Sequence, residues 1–113
     1  MDNLKNDNYY LNKILADLEF MIQQTKGKTS NEIECNPLLM DSIMFRLIQI
    51  AENGEKLTSA FKDEHKDIKW KAIKGMRNRI VHDYGFIDMT IVYDTITNSI
   101  PELYQQIKGL VKF

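Results

Sequence analysis

Residues 74–85 read Lys-Gly-Met-Arg-Asn-Arg-Ile-Val-His-Asp-Tyr-Gly. Between Arg77 and Tyr84 they hold a guanidinium, an amide, an imidazole and a phenol. A guanidinium can neutralise a phosphate, and an imidazole can take or give a proton near neutral pH. Metal-free RNA cleavage by attack of the 2′-hydroxyl needs that inventory: a base, an acid and a cation for the phosphorane. One chain offers one such histidine and one such arginine. Two chains related by a twofold axis offer two of each, which favours a composite site at a dimer interface.

Helical geometry decides which of these groups can meet. At about 100° per residue, Trp70, Ile73, Arg77, Ile80, Val81 and Tyr84 share one face. Arg77 then stands inside an apolar stripe, and the cost of desolvating it calls for a carboxylate, backbone carbonyls or an open cleft. His82 follows five residues later, so an unbroken helix points it roughly 140° away. A helix that loosens near Val81 would let His82 swing back. Otherwise its partner comes from elsewhere, and a second copy of the chain is the simplest source. Each residue also has an ordinary reading: an ion-paired or snorkelling arginine, a histidine complementing the helix dipole, a core tyrosine with its hydroxyl in water.

The elements that must position this segment are helical. Leu11, Ile14, Leu15, Leu18, Met21 and Ile22 form one stripe, predicting a first helix from about Asn8 to Thr25 with Asp7 or Asn8 as cap. Residues 26–34 read as a polar loop, with too few glycines to cradle a phosphate. Asn36-Pro37 opens a second helix, expected to reach Phe61 through Leu39, Ile43, Leu47 and Ile50. Glu52 and Glu55 lie toward its end, as surface residues or as the partner of Arg77. Asp67 is the expected cap of the third helix, which runs to about Tyr84, where Gly85 marks its end. Its Lys69, Lys71, Lys74, Arg77 and Arg79 make a basic face, suited to solvent or to a phosphate backbone. Asp88 caps a fourth helix, with a kink or break expected at Ile100 before Pro101. Ser99 and Glu102 have the spacing of a capping box that would restart it. The expectation is an all-α, up-and-down bundle of four to five helices, forming one domain over residues 1–113.

The totals agree with such a domain. The chain has 113 residues, 43% hydrophobic and 27% charged, with two prolines and five glycines, too few for a turn-rich β fold. A net charge of −1 argues against a broad electrostatic nucleic-acid footprint. A single cysteine, Cys35, and an N-terminus without a signal-peptide pattern point to a reducing, cytoplasmic setting. No apolar run is long enough for a membrane span. Neither a Ser-His-Asp arrangement nor a His/Cys metal cluster is visible.

Arg77-Asn-Arg-Ile-Val-His82-Asp-Tyr84 resembles the Arg-x4-His-x-Tyr motif of the HEPN superfamily, specifically its HepT-like toxins. The flanking Ile68-Lys-Trp70 and Gly75-Met-Arg-Asn78 are similar to the helix carrying that motif. Ile50-Ala-Glu52-Asn resembles the end of the family's second helix, with Ala51 where glycine is usual, and Ile100-Pro-Glu-Leu103 resembles the Leu-Pro-x-Leu of its last helix. The resemblance implies a homodimeric, metal-independent endoribonuclease that needs no cofactor and acts as the toxin of a type VII HEPN/MNT toxin–antitoxin pair. It implies that Arg77 and His82 carry cleavage, with Asn78 and Glu52 in support. It further implies that an MNT-type nucleotidyltransferase antitoxin transfers AMP to Tyr84. A non-catalytic helical module that holds a nucleotidyltransferase or nucleotide is the competing expectation, and a plain structural dimer with Arg77 paired to Glu52 is a third.

Overall fold

Leucine and isoleucine at spacings of three and four bury one side of the first helix, α1 (Asp7–Thr25), in the computed structural model, which describes residues 5–112. Its cap is Asn6, whose side chain accepts from the Tyr9 N–H. Asp7, one of the two expected caps, instead binds the N–H and hydroxyl of Thr58, both at 2.8 Å. That contact ties the start of α1 to the segment after α3 (Pro37–Glu55). Together with the Arg46–Asp17 ion pair at 2.7 Å, it sets α1 and α3 antiparallel. Arg46 also lies over the Phe20 ring, 4.0 Å from its centroid.

The described residues form an all-α bundle, as the periodicity predicts. Its long members are α1, α3, α5 (Trp70–Asp83) and a final helical segment of α6 (Met89–Asp94), a π turn (Thr95–Ser99) and α7 (Ile100–Lys108). The core runs through all of them, with Leu18, Met21, Ile43, Val92 and Ile107 at its centre. Asn8 exchanges hydrogen bonds with the backbone of Lys112, at 3.0 and 2.8 Å, so the start of α1 lies beside the end of the last segment.

Short-range chemistry corrects several expectations. The presumed polar loop contains α2 (Ser30–Glu34), held by a complete capping box: Thr29 accepts from Glu32 N–H and Glu32 accepts from Thr29 N–H. That box and the buried Ile33 outweigh the polar composition of the segment. Helix α3 ends at Glu55 rather than near Phe61, and Thr58 starts a separate α4 (Ser59–Glu64). Lys69, not Asp67, precedes α5, without a side-chain cap. Ser99 and Glu102 form no capping box, because Ser99 is itself helical. Pro101 has no N–H to give the fourth carbonyl before it. The chain widens there, and the Ile100 N–H reaches back five residues to the Thr95 carbonyl. In place of the break expected at Ile100, the helical segment is continuous and carries a π turn over the five residues before it.

Candidate active site

Helix α5 packs chiefly on α3. Only Ile80 among its residues is fully buried, while Trp70, Ile73 and Met76 cover the core from its edge. Burial of Ile80 contributes about 1.5–3 kcal/mol to holding the helix in place. Three polar cross-contacts run in order along the seam: Lys74 to Glu55 at 3.3 Å, Arg77 to Glu52 at 3.3 Å, and Tyr84 to Asp41. Numbers rise on α5 as they fall on α3, so the two helices are antiparallel.

Arg77 emerges at this seam. Its Nη2 donates to Glu52 Oε2 at 3.3 Å and its Nη1 donates to Asn78 Oδ1 at 3.1 Å. The arginine is half-buried rather than enclosed: 34% of its side chain is exposed, against 48% for Glu52. The carboxylate that the apolar stripe called for is therefore Glu52, on the surface. It steadies the guanidinium without removing it from solvent.

His82 stands exposed on the last turn of α5, where the helix dipole favours a cation. Neither ion pair formed by α5 involves it. The helix does not loosen at Val81. Regular geometry persists to Asp83, where φ reaches −131° and the chain tightens into a 3-10 turn (Tyr84–Phe86). Gly85 belongs to that turn, and the only positive φ among the described residues is at Gly27. The expected glycine stop is thus a tightened turn with no left-handed residue. Five residues of intact helix keep His82 about 140° around the axis from Arg77. Asn78 bridges part of that arc: it is bonded to Arg77 and lies one turn before His82 on nearly the same side. Glu52, Arg77 and Asn78 come together within one chain, with His82 adjacent, but His82 does not reach Arg77's partners.

Val81 and Tyr84, expected on the buried stripe, are 48% and 46% exposed. Among the described residues that flank of α5 is left open to solvent. The Tyr84 hydroxyl is not left to water but donates to Asp41 Oδ1 on α3. Its pKa is pushed up to about 12, first by desolvation of the phenol, then by the hydrogen bond and negative charge of Asp41. Sequence reasoning missed Asp41. Asp41 precedes Glu52 by eleven residues, about three helical turns, so the spacing puts both on nearly one face of α3, but only the packing of α5 brings that face to Tyr84.

An open cleft of about 370 Å³ lies at Arg77, bordered by Ala51, Glu52, Glu55, Lys56, Lys74 and Asn78. Lys56, not anticipated from the sequence, adds a third cation to Lys74 and Arg77 on its rim. Such a cleft can accept a phosphate on the guanidinium. A groove of about 420 Å³ on the other flank of α5 is mostly apolar and does not include Arg77, His82 or Tyr84. Among the described residues no group of three or more His, Cys, Asp or Glu is arranged to hold a metal ion, and no helix is long and apolar enough to cross a membrane.

Comparison with known proteins places these residues in a wider context. Residues 13–110 match the family model described as "Ribonuclease HepT-like". A protein of Caldanaerobacter subterraneus named "Putative RNase" is 32% identical over 109 residues, covering 96% of this chain and 97% of that protein. A Methanocaldococcus jannaschii protein named "Gamma-glutamylcyclotransferase and putative RNase" is 28% identical over 103 residues, 91% of this chain and 46% of its own length. One from Thermococcus cleftensis named "Probable ribonuclease HepT" is 24% identical over 103 residues, 91% of this chain and 94% of that protein. No solved structure matches the chain at a significant level.

Proposed function

The chain belongs to the HepT-like ribonuclease family, and from that premise we propose that it is a metal-independent endoribonuclease. In this reading it is the toxin of a type VII HEPN/MNT toxin–antitoxin pair and forms a single-domain homodimer. Arg77 and His82 from both copies face a shared groove. Arg77 binds the scissile phosphate and stabilises the charge of the phosphorane. One His82 removes the proton of the 2′-hydroxyl as its oxygen bonds to phosphorus. A proton from the other His82 goes to the departing 5′-oxygen as the P–O5′ bond breaks. Glu52 and Asn78 hold the guanidinium so that its remaining N–H groups face the groove.

The observation that carries this reading is the pairing of a partly exposed, doubly held Arg77 with a His82 kept about 140° away by an unbroken helix. Within one chain the two groups do not form a site. A twofold partner supplies the missing imidazole without any change in the fold. Tyr84 lies on the Arg77 side of α5 with its ring nearly half exposed, a position that supports its role as the AMP acceptor of the antitoxin. A bulky anion on Tyr84 would occupy the approach to Arg77 and neutralise the cation that attracts RNA.

The test is RNA degradation by purified protein with a chelator present. Arg77→Ala and His82→Ala each lose activity while remaining folded and dimeric; wild-type cleavage by either variant rules out the assignment. Co-expression with a neighbouring nucleotidyltransferase adds the mass of AMP to the wild type and none to Tyr84→Phe. The Arg77–Glu52 ion pair also fits the plain structural dimer. The net charge of −1 fits the non-catalytic module that holds a nucleotidyltransferase or nucleotide. That module binds its partner tightly, and neither alternative cleaves RNA.

A further inference from the structure

The polar contact that the ribonuclease chemistry leaves unused is the one between Tyr84 and Asp41. It crosses from the 3-10 turn to α3, between residues 43 positions apart, and joins the phenol oxygen directly to a carboxylate. Both residues are exposed at the seam, so an incoming enzyme can reach them. Leu38, one turn before Asp41 on α3, is 82% exposed, and Phe86, two residues after Tyr84, is 91% exposed. The pair is therefore flanked by uncovered apolar side chains on both elements. A purely structural tether would not need such an open setting, and a surface hydrogen bond of this kind adds little to stability.

We propose that Asp41 is the base that activates Tyr84 for nucleotidylation. This rests on the reading above, that Tyr84 accepts AMP. A phenol is protonated at neutral pH and a poor nucleophile, so it must lose its proton as it attacks. Asp41 Oδ1 already accepts the hydrogen bond that this proton makes. As the Tyr84 oxygen bonds to the α-phosphorus of magnesium-bound ATP, its O–H proton passes to Asp41. The bond from the α-phosphorus to the bridging oxygen breaks, and pyrophosphate leaves with the electron pair. Asp41 then returns the proton to water. The toxin itself supplies the base for its own modification, as a carboxylate does for a substrate hydroxyl in protein kinases. Afterwards the Tyr84 oxygen has no hydrogen to donate, and its phosphodiester is repelled by the Asp41 carboxylate. The turn can no longer dock on α3 through this contact.

The test uses the full chain, an MNT-type nucleotidyltransferase, and magnesium with ATP. The rate of AMP addition is read by intact mass over a range of toxin concentrations. Asp41→Asn keeps the size of the side chain and a hydrogen-bond acceptor but not the base. It is expected to lower kcat for the modification by about a hundredfold with KM little changed, whereas Asp41→Glu restores a large part of the rate. Helical content by circular dichroism and RNA cleavage by unmodified Asp41→Asn stay at wild-type level. Equal modification rates for wild type and Asp41→Asn overturn the assignment of Asp41 while leaving Tyr84 as acceptor intact. A raised KM with unchanged kcat makes Asp41 a docking residue and likewise overturns it. Failure of the wild type to be modified, or an adduct that persists in Tyr84→Phe, overturns the parent reading and this one together.

Discussion

Replacing Arg77 with alanine separates catalysis from stability more sharply than any other single change. The guanidinium has two intramolecular partners, Glu52 at 3.3 Å and Asn78 at 3.1 Å, and both lie in a solvent-accessible cleft. An ion pair with a third of one side chain and half of the other exposed contributes about 0.2–1 kcal/mol, since water screens the charges and the side chains lose entropy in meeting. Loss of the arginine stem from the α5–α3 seam adds a modest packing cost. For a domain of this size a loss of about 1 kcal/mol lowers Tm by a few degrees. Removal of a preorganised donor at a developing oxyanion costs about 10²–10³ in rate, or about 2.7–4 kcal/mol. Arg77→Ala should therefore melt within about 5 °C of wild type while RNA cleavage falls at least a hundredfold. Thermal melting by circular dichroism and cleavage of a fluorescently labelled RNA read the two quantities on one sample. Arg77→Lys keeps the charge but cannot hold Glu52 and Asn78 with one planar fork. It should retain Tm and still lose about tenfold or more in cleavage. A drop of more than about 10 °C would mean that the arginine supports the fold, and full cleavage at an unchanged Tm would remove it from the site.

Three further outcomes follow from the geometry. A mixed dimer of wild type with His82→Ala lacks one of the two imidazoles that serve as base and acid, so its cleavage should fall well below half that of the wild-type dimer; a mixed dimer with half the wild-type rate, as two independent sites would give, contradicts a shared groove. Asp41→Asn should move the ultraviolet titration of Tyr84 from about 12 toward the ordinary tyrosine value of about 10. The sign follows from a folded-state pKa raised above the unfolded one: the stabilisation is fully present below about pH 10 and is lost as pH rises through about 12; a titration unmoved by the substitution would leave burial alone as the cause. Ile80→Ala, which empties the only fully buried position of α5, should cost about 2–5 kcal/mol in urea unfolding; a loss below about 1 kcal/mol would mean that α3 does not anchor the helix through this residue.

The amphipathic periods of α1, α3 and α5, and the caps Asn36-Pro37 and Asp88, were readable because they are local: 3.6-residue spacing and side-chain capping act within a few residues. The same locality made Arg77, Asn78, His82 and Tyr84 recognisable as a group, and a helix count alone led to the bundle. The Thr29–Glu32 capping box was equally local and was overlooked because the composition around it is polar. What stayed hidden lies between elements. Which carboxylate meets Arg77, and that Asp41 takes the Tyr84 hydroxyl, depends on the antiparallel register of α3 against α5. No local spacing encodes that register, since it is set by the packing of α5 on α3 and by chain reversal through α4. The exposure of Val81 and Tyr84 has the same origin. A helical period gives the angle at which a side chain leaves its own axis, but only the arrangement of the other helices determines whether anything stands there to cover it.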